Sequence, residues 1–192
     1  MKTLYPMDME EFMLALGEDD LVEQIKKCFN TDTPLPSALH DAAMQLYRQY
    51  LVVGGMPECV MQFAKTKDYI LVRHTQYTIL ASYRGDMSKY NNLNEIKKTR
   101  LAYDNITVQL SKKNTRFQYK LIKKGGRASE FENAIEWLCL SGEVKSADNT
   151  RAKSLKVYMD TYKPAYAIKL SAKNFGFEDN KKIVPLYAAF CI

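Results

Sequence analysis

Apolar residues recur at helical spacing through the first two thirds of this chain of 192 residues. At its start, Asp8 and Glu11 form a capping-box pattern, and Gly17 occupies a position at which helices commonly end. Further stripes of the same spacing predict helices that begin at or near Leu21, Ser37, Asp68 and Asn94. Such helices need a shared core, and a composition of 46% hydrophobic and 26% charged residues excludes collagen-like and disordered classes.

The pattern changes from helical to alternating at residue 115. Phe117, Tyr119 and Leu121 alternate with polar residues, which predicts a strand over 115–122. If this strand pairs with the C-terminal sheet, these three side chains should be buried on one face.

A second capping-box pattern, Ser129 with Glu132, predicts a helix that stops at Gly142. Beyond it we expect a strand over 143–146, a helix over 151–162 and strands over 165–171 and 183–190. The predicted fold class is therefore α+β, mostly helical with a small C-terminal α/β part.

Charge is distributed unevenly along the chain. Residues 1–60 contain 10 acidic and 4 basic residues, whereas residues 84–157 contain 16 basic and 8 acidic residues. The basic stretch has interleaved aromatic residues and could follow a phosphate backbone, could be a solvated face, or could bind the acidic segment of another copy. The candidate nucleic-acid-binding residues are Lys112, Lys113, Arg116, Lys123, Lys124 and Arg127.

Several classes of site lack their motif in this sequence. No run has the GxxxxGK pattern of a phosphate-binding loop, and the KKGGR stretch at 123–127 is either a weak phosphate cradle or a turn. His40, His74 and the four cysteines have neither metal-ligand spacing nor a CxxC pair, so we expect no cofactor. The longest uncharged apolar stretch, 49–57, is too short to cross a bilayer, so we expect a cytoplasmic protein without a membrane partner.

The tripeptide Glu143-Val144-Lys145 carries a possible nuclease motif. On a strand, ExK directs a carboxylate and an ammonium group to the same face, where Glu143 could hold Mg²⁺ and Lys145 could assist the attack of water. The alternative is an exposed ion pair on one face of a strand.

Five segments together resemble the rear two thirds of prokaryotic AAA+-type P-loop ATPases. The segments are LYPMDMEEFMLALGE (4–18), YRQYLVVGGMPECV (47–60), ILASYRGDMSKY (79–90), KKGGRASEFENAIEWLCLSG (123–142) and AIKLSAKNFGFEDNKKIVPLYAAFCI (167–192). In that family an ATPase core precedes a domain of unknown function with a winged-helix-like part and a PD-(D/E)XK nuclease-like tail. The resemblance implies a helical accessory region over 1–114, a winged-helix-like element over 115–142 and a nuclease-like remnant over 143–192.

The chain departs from this family pattern at two places. Nothing that resembles the ATPase core precedes the first segment, and Gly142 runs directly into Glu143, where family members carry a long stretch with the partner aspartate. The resemblance therefore implies a truncated, internally deleted and non-catalytic accessory region that binds DNA or an ATPase core in trans.

Two alternatives remain beside this interpretation. One is a Mg²⁺-dependent nuclease in which Glu132 or Glu136 replaces the missing aspartate beside Glu143 and Lys145. Another is a protein-interaction adaptor. The resemblance also leads to a prediction about the tail. A sheet without its first strands leaves an edge through which 143–192 self-associates or aggregates, unless 115–122 supplies a strand.

Overall fold

The structure is a computed structural model, and it describes residues 5–89, 92–112, 117–140, 166–178 and 181–192. Its helices are α1 (Met9–Ala15), α2 (Asp19–Thr31), α3 (Ser37–Val53), α4 (Pro57–Thr66), α5 (Tyr69–Asp86), α6 (Leu93–Leu110), α7 (Tyr119–Ile122) and α8 (Ala128–Leu140). Its strands are β1 (Ala167–Ser171), β2 (Gly176–Glu178) and β3 (Lys181–Pro185), and a 3₁₀ helix (Leu186–Cys191) follows. The predicted mostly helical α+β class is confirmed.

The chain forms two compact units. Unit 1 comprises Met1–Tyr77 and Arg151–Ile192, and unit 2 comprises Thr78–Thr150. Unit 1 is therefore built from both ends of the chain, and unit 2 is inserted between them. The division into 1–114, 115–142 and 143–192 stays a prediction.

The first helix has the caps that the sequence predicts. The backbone N–H of Glu11 donates to Asp8 Oδ1 at 2.9 Å, and the N–H of Asp8 donates to Glu11 Oε2 at 3.0 Å. Gly17 then adopts a φ of 80°, which a residue with a Cβ rarely does. With its ends fixed in this way, α1 buries Met9, Phe12 and Met13 in unit 1.

The sheet of unit 1 has the strand order β1-β3-β2, with β1 parallel and β2 antiparallel to β3. The predicted strand over 165–171 is confirmed as β1, whereas β2 was not predicted. The predicted strand over 183–190 is wrong beyond Pro185, because proline has no N–H for the ladder and the chain turns there into the 3₁₀ helix. This helix contacts α1, α2 and α3 and buries Tyr187 completely.

Side-chain hydrogen bonds hold the C-terminal segment on the N-terminal helices. The amide of Asn174 accepts from the N–H of Leu35 at 3.0 Å and donates to the carbonyl of Leu35 at 2.6 Å. Tyr187 Oη lies 2.9 Å from His40 Nδ1. Because these contacts join residues 139 and 147 positions apart, the tail belongs to the same core as α1–α3.

A buried lysine forms the third connection between the two ends of the chain. Lys182 Nζ donates to the carbonyl of Phe29 at 2.8 Å, lies 2.7 Å from Asp32 Oδ1, and sits 3.9 Å from the centre of the Phe29 ring. Only 8% of Lys182 is exposed, so its charge is neutralised where it is buried.

Unit 2 is held by α6 and α8. Met87, Ala102 and Leu138 form its buried cluster, and Trp137 packs against this cluster. Helix α6 begins at Leu93 with Asn92 as its N-cap, whose Oδ1 accepts from the N–H of Glu95 at 3.0 Å. The predicted start at Asn94 is therefore one residue late.

The predicted strand over 115–122 is wrong, because Tyr119–Ile122 form the short helix α7. Side chains of α6 take the place of a neighbouring strand: Gln109 Oε1 accepts from the N–H of Gln118 at 2.6 Å, and Asn105 Nδ2 donates to the carbonyl of Leu121 at 3.0 Å. Phe117 is 37% exposed rather than buried. Residues 117–140 are helices and turns, and a winged-helix-like centre is not confirmed there.

Helix α8 begins at Ala128, one residue before the predicted capping serine. The carbonyl of Arg127 already accepts from the N–H of Glu130 at 3.1 Å, so Ser129 lies inside the first turn and its capping box with Glu132 does not form. The predicted strand over 143–146 and the predicted helix over 151–162 lie outside the described residues.

Candidate functional site

The fold redistributes the charge asymmetry of the sequence. Unit 1 contains 15 basic and 14 acidic residues, because the basic C-terminal segment joins the acidic N-terminal helices. The ion pair between Lys182 and Asp32 is one local instance. Unit 2 contains 13 basic and 8 acidic residues, and it therefore carries almost all of the net positive charge of the chain.

Unit 2 has an open groove of about 1010 Å³ at the first turns of α6. The loop between α7 and α8 and the first turn of α8 form its other side. The groove is lined by Asn92, Leu93, Asn94, Glu95, Lys97, Lys98, Leu101, Lys123, Glu130 and Phe131.

The groove combines apolar surface with a small excess of positive charge. Lys98 Nζ lies 2.8 Å from Glu95 Oε1, and Lys123 Nζ lies 2.8 Å from Glu130 Oε1. The hydrogen bond from Lys123 lowers the pKa of Glu130, so this carboxylate is ionised at neutral pH. Lys97 is exposed and forms no ion pair with any residue in the described ranges.

Exposed leucines provide the apolar part of the groove. Leu93 is 78% exposed and Leu101 is 48% exposed. Since three lysines face two glutamates, the lining carries one net positive charge. The groove thus suits an occupant with both apolar and acidic groups better than a bare phosphate.

The predicted nucleic-acid-binding residues fall into separate places. Lys123 lines the groove and is paired, whereas Lys124 and Arg127 are exposed in the α7–α8 loop without an ion pair among the described residues. Lys112 is exposed just beyond the end of α6, about 22 Å along the helix axis from Lys97. Lys113 and Arg116 lie outside the described residues.

Sequence reasoning did not single out three further lysines of unit 2. Lys97 and Lys98 line the groove, and Lys120 is exposed on α7. The two adjacent lysines at 97–98 are evident in the sequence. Their position opposite Lys123 depends on how α6 packs on α7 and α8.

The glycines of the KKGGR stretch form a turn that is closed by its own backbone. Gly125 has a φ of 80°, and the N–H of Gly126 donates to the carbonyl of Lys123 at 2.8 Å. A Cβ on Gly126 would lie 2.7 Å from the carbonyl oxygen of Tyr119. Because the Gly126 amide is already bonded, it cannot help to cradle a phosphate.

The nuclease-like residues Glu143 and Lys145 lie outside the described residues. Glu132 and Glu136, which the nuclease alternative recruits, are exposed on α8. Within the described ranges, no group of three His, Cys, Asp or Glu residues could hold a metal ion. The Mg²⁺ site at Glu143 therefore stays a prediction.

Comparison with known proteins identifies the family but no function. No curated protein and no solved structure matches the chain. Among the described helices, none is long and apolar enough to cross a membrane. A family model described as a domain of unknown function matches residues 44–166, a range that contains all of unit 2. The chain belongs to this family, DUF8612.

Proposed function

We propose that the chain is a non-catalytic binding module whose unit 2 contacts the phosphate backbone of nucleic acid. The observation that carries this proposal is the excess of five basic residues in unit 2, against an excess of one in unit 1. Exposed cations without ion pairs among the described residues extend along α6, α7 and the α7–α8 loop; they are Lys97, Lys112, Lys120, Lys124 and Arg127.

The arrangement favours contact with phosphates over reading of bases. Lys124 and Arg127 lie on a loop, whereas the exposed face of α8 carries Glu132 and Glu136. These carboxylates repel phosphates, which argues against α8 as a recognition helix in a major groove. Binding should consequently depend strongly on salt and weakly on sequence.

The test is fluorescence anisotropy with a labelled DNA duplex of about 20 base pairs over a series of salt concentrations. The variant K112Q/K124Q/R127Q removes three exposed cations of unit 2. Its matched control, K27Q/R48Q/K65Q, removes two lysines and one arginine that are exposed in unit 1.

We expect the unit 2 variant to bind more weakly and to lose about 0.9 in the slope of log K against log salt for each phosphate contact removed. The control should bind like the wild type. Equal loss in both variants, binding that does not depend on salt, or strong sequence selectivity would each contradict the proposal.

The resemblance to AAA+-type ATPases supports a second part of the same proposal, namely an accessory role beside an ATPase core in trans within the cytoplasm. The chain itself should not bind ATP, since it has no GxxxxGK run. Magnesium-dependent ATP binding at micromolar affinity in calorimetry would contradict this. DNA cleavage in Mg²⁺ that Glu143→Ala abolishes would replace the binding role by the nuclease alternative.

A further inference from the structure

We infer that the groove of unit 2 receives the acidic corner between α1 and α2 of a second copy of the chain. The acidic corner is defined as residues 14–23, the end of α1, the turn at Gly17 and the first turns of α2. This contact goes beyond nucleic-acid binding, and Lys97 is the one cation that it shares with the exposed cations named for that function.

The groove exposes apolar side chains and ammonium groups next to each other. Leu93 and Leu101 expose 78% and 48% of their surface at its side, and Lys97 stands between them on the same helix with no ion pair in the described ranges. Lys98 and Lys123 add two more ammonium groups, each already bonded to one carboxylate of the lining. An occupant that fits must bring carboxylates and an apolar side chain together.

The acidic corner of the same chain has this composition. Glu18, Asp19, Asp20 and Glu23 are exposed, and none of them forms an ion pair with another described residue. Leu14, on the last turn of α1, is 41% exposed beside them. Gly17 turns the chain sharply between the two helices, so these side chains are gathered within one short segment.

Charge complementarity favours the acidic corner, rather than the groove of another copy, as the occupant of the groove. Two grooves would place lysine against lysine, whereas the acidic corner brings four carboxylates to a lining with one uncompensated ammonium group. A contact between two different surfaces is heterologous, so copies add head to tail and the mass rises with concentration.

The test is sedimentation velocity of the intact chain over a range of concentrations, at about 50 mM and about 500 mM salt. Two variants reverse the charge of one surface each: K97E/K98E for the groove and D19K/D20K for the acidic corner. Because each variant keeps one native surface and reverses the other, the two should bind each other in a mixture. K27E/K65E, which changes two exposed lysines of unit 1, is the matched control.

We expect the wild type to exceed the monomer mass at low salt and to dissociate at high salt. Each charge-reversal variant should remain monomeric alone, their equimolar mixture should associate again, and the control should behave like the wild type. Leu101→Ser leaves every charge in place and should lower the association constant by about tenfold, which keeps the test valid if a double variant fails to fold.

Four outcomes would overturn the inference. They are a wild type that stays monomeric at every concentration, a mixture that fails to associate, a control that loses association to the same extent, and association that nuclease treatment removes. The last would mean that nucleic acid bridges the copies. K112Q/K124Q/R127Q, which leaves groove and corner intact, should still self-associate, so this inference and the proposed nucleic-acid contact can fail separately.

Discussion

Lys182 places a positive charge inside unit 1. Its carboxylate partner, Asp32, has an unusual backbone conformation. Asp32 has a φ of 54°, a left-handed value that asparagine also tolerates. Asp32→Asn therefore removes the charge without adding backbone strain. Lys182 would keep its bond to the Phe29 carbonyl but would lose its counter-charge.

We expect Asp32→Asn to lower the free energy of unfolding by about 1 kcal/mol, because Asp32 itself remains partly solvated. The measurement is the midpoint of urea denaturation. Glu178→Gln, which breaks the exposed pairs with Lys169 and Lys173, is the control and should change the midpoint little. A larger loss in the control would contradict the importance of the buried ammonium.

Tyr187 and Cys191 make unit 1 sensitive to alkaline pH. Burial raises the pKa of the Tyr187 hydroxyl above its usual range, and burial raises the pKa of the Cys191 thiol to about 11. The unfolded chain releases these protons first as the pH rises. The stability that the protonated groups contribute is therefore complete below about pH 9 and is lost as the pH rises through 11.

We expect the urea midpoint to fall between about pH 9 and 11, and to fall less in Tyr187→Phe. At neutral pH this variant should be about 1 kcal/mol less stable, because it loses the hydrogen bond to His40. If the urea midpoint fell equally with pH in the wild type and in Tyr187→Phe, Tyr187 would not contribute to the loss of stability at alkaline pH.

At the scale of elements, the turn between α7 and α8 depends on one glycine. A Cβ on Gly126 would lie 2.7 Å from the Tyr119 carbonyl oxygen and 3.0 Å from that of Lys123, and neither backbone atom can move easily. Gly85, in α5, has no atom within 4 Å of its would-be Cβ. The two positions form a matched pair within unit 2.

We expect Gly126→Ala to destabilise unit 2 by about 1–3 kcal/mol, and Gly85→Ala to stabilise it by about 0.5–1 kcal/mol through helix propensity. Thermal unfolding followed by the fluorescence of Trp137 provides the measurement. If Gly126→Ala left the midpoint unchanged, the turn would not be closely packed.

Elements whose signals are local could be predicted from the sequence, and elements that depend on distant partners could not. The Asp8 cap and the turn at Gly17 involve residues at most a few positions apart, and both predictions hold. The alternation at Phe117, Tyr119 and Leu121 failed, since the amide side chains of α6 bond the backbone there.

For the candidate site, sequence reasoning located basic residues but not the surface that they form. Lys123, Lys124 and Arg127 were evident as a basic loop. The leucines of the groove and the pairing of Lys123 with Glu130 became visible only when α6 and α8 were placed side by side. The near neutrality of unit 1 likewise depends on the return of the C-terminal segment to the N-terminal helices.

At the scale of the whole molecule, the two units should unfold separately. Trp137 is the single tryptophan of the chain and packs in the cluster of unit 2, whereas Val184 is fully buried in unit 1. Val184→Ala should lower the stability of unit 1 by about 1–3 kcal/mol. We expect the circular dichroism signal to show two transitions, of which only that of unit 1 moves to milder conditions. The Trp137 fluorescence transition, which reports on unit 2, should not change.

The control for this experiment is Ala102→Gly, which removes a buried methyl group from unit 2 and should shift the Trp137 transition. If the circular dichroism and Trp137 fluorescence transitions coincided in both variants, the chain would unfold as one cooperative structure.

The discontinuous build of unit 1 also sets an order of events during synthesis. Helices α1–α3 leave the ribosome with the surfaces that the 3₁₀ helix, with the buried Tyr187, later contacts. At about 5–20 residues per second, the 115 residues that follow Tyr77 take about 6–23 s to be added. Unit 2 can fold within this interval, because all of its residues are consecutive. The N-terminal helices must wait for the 3₁₀ helix that contacts them, and during that delay the nascent chain is most exposed to aggregation and to chaperone binding.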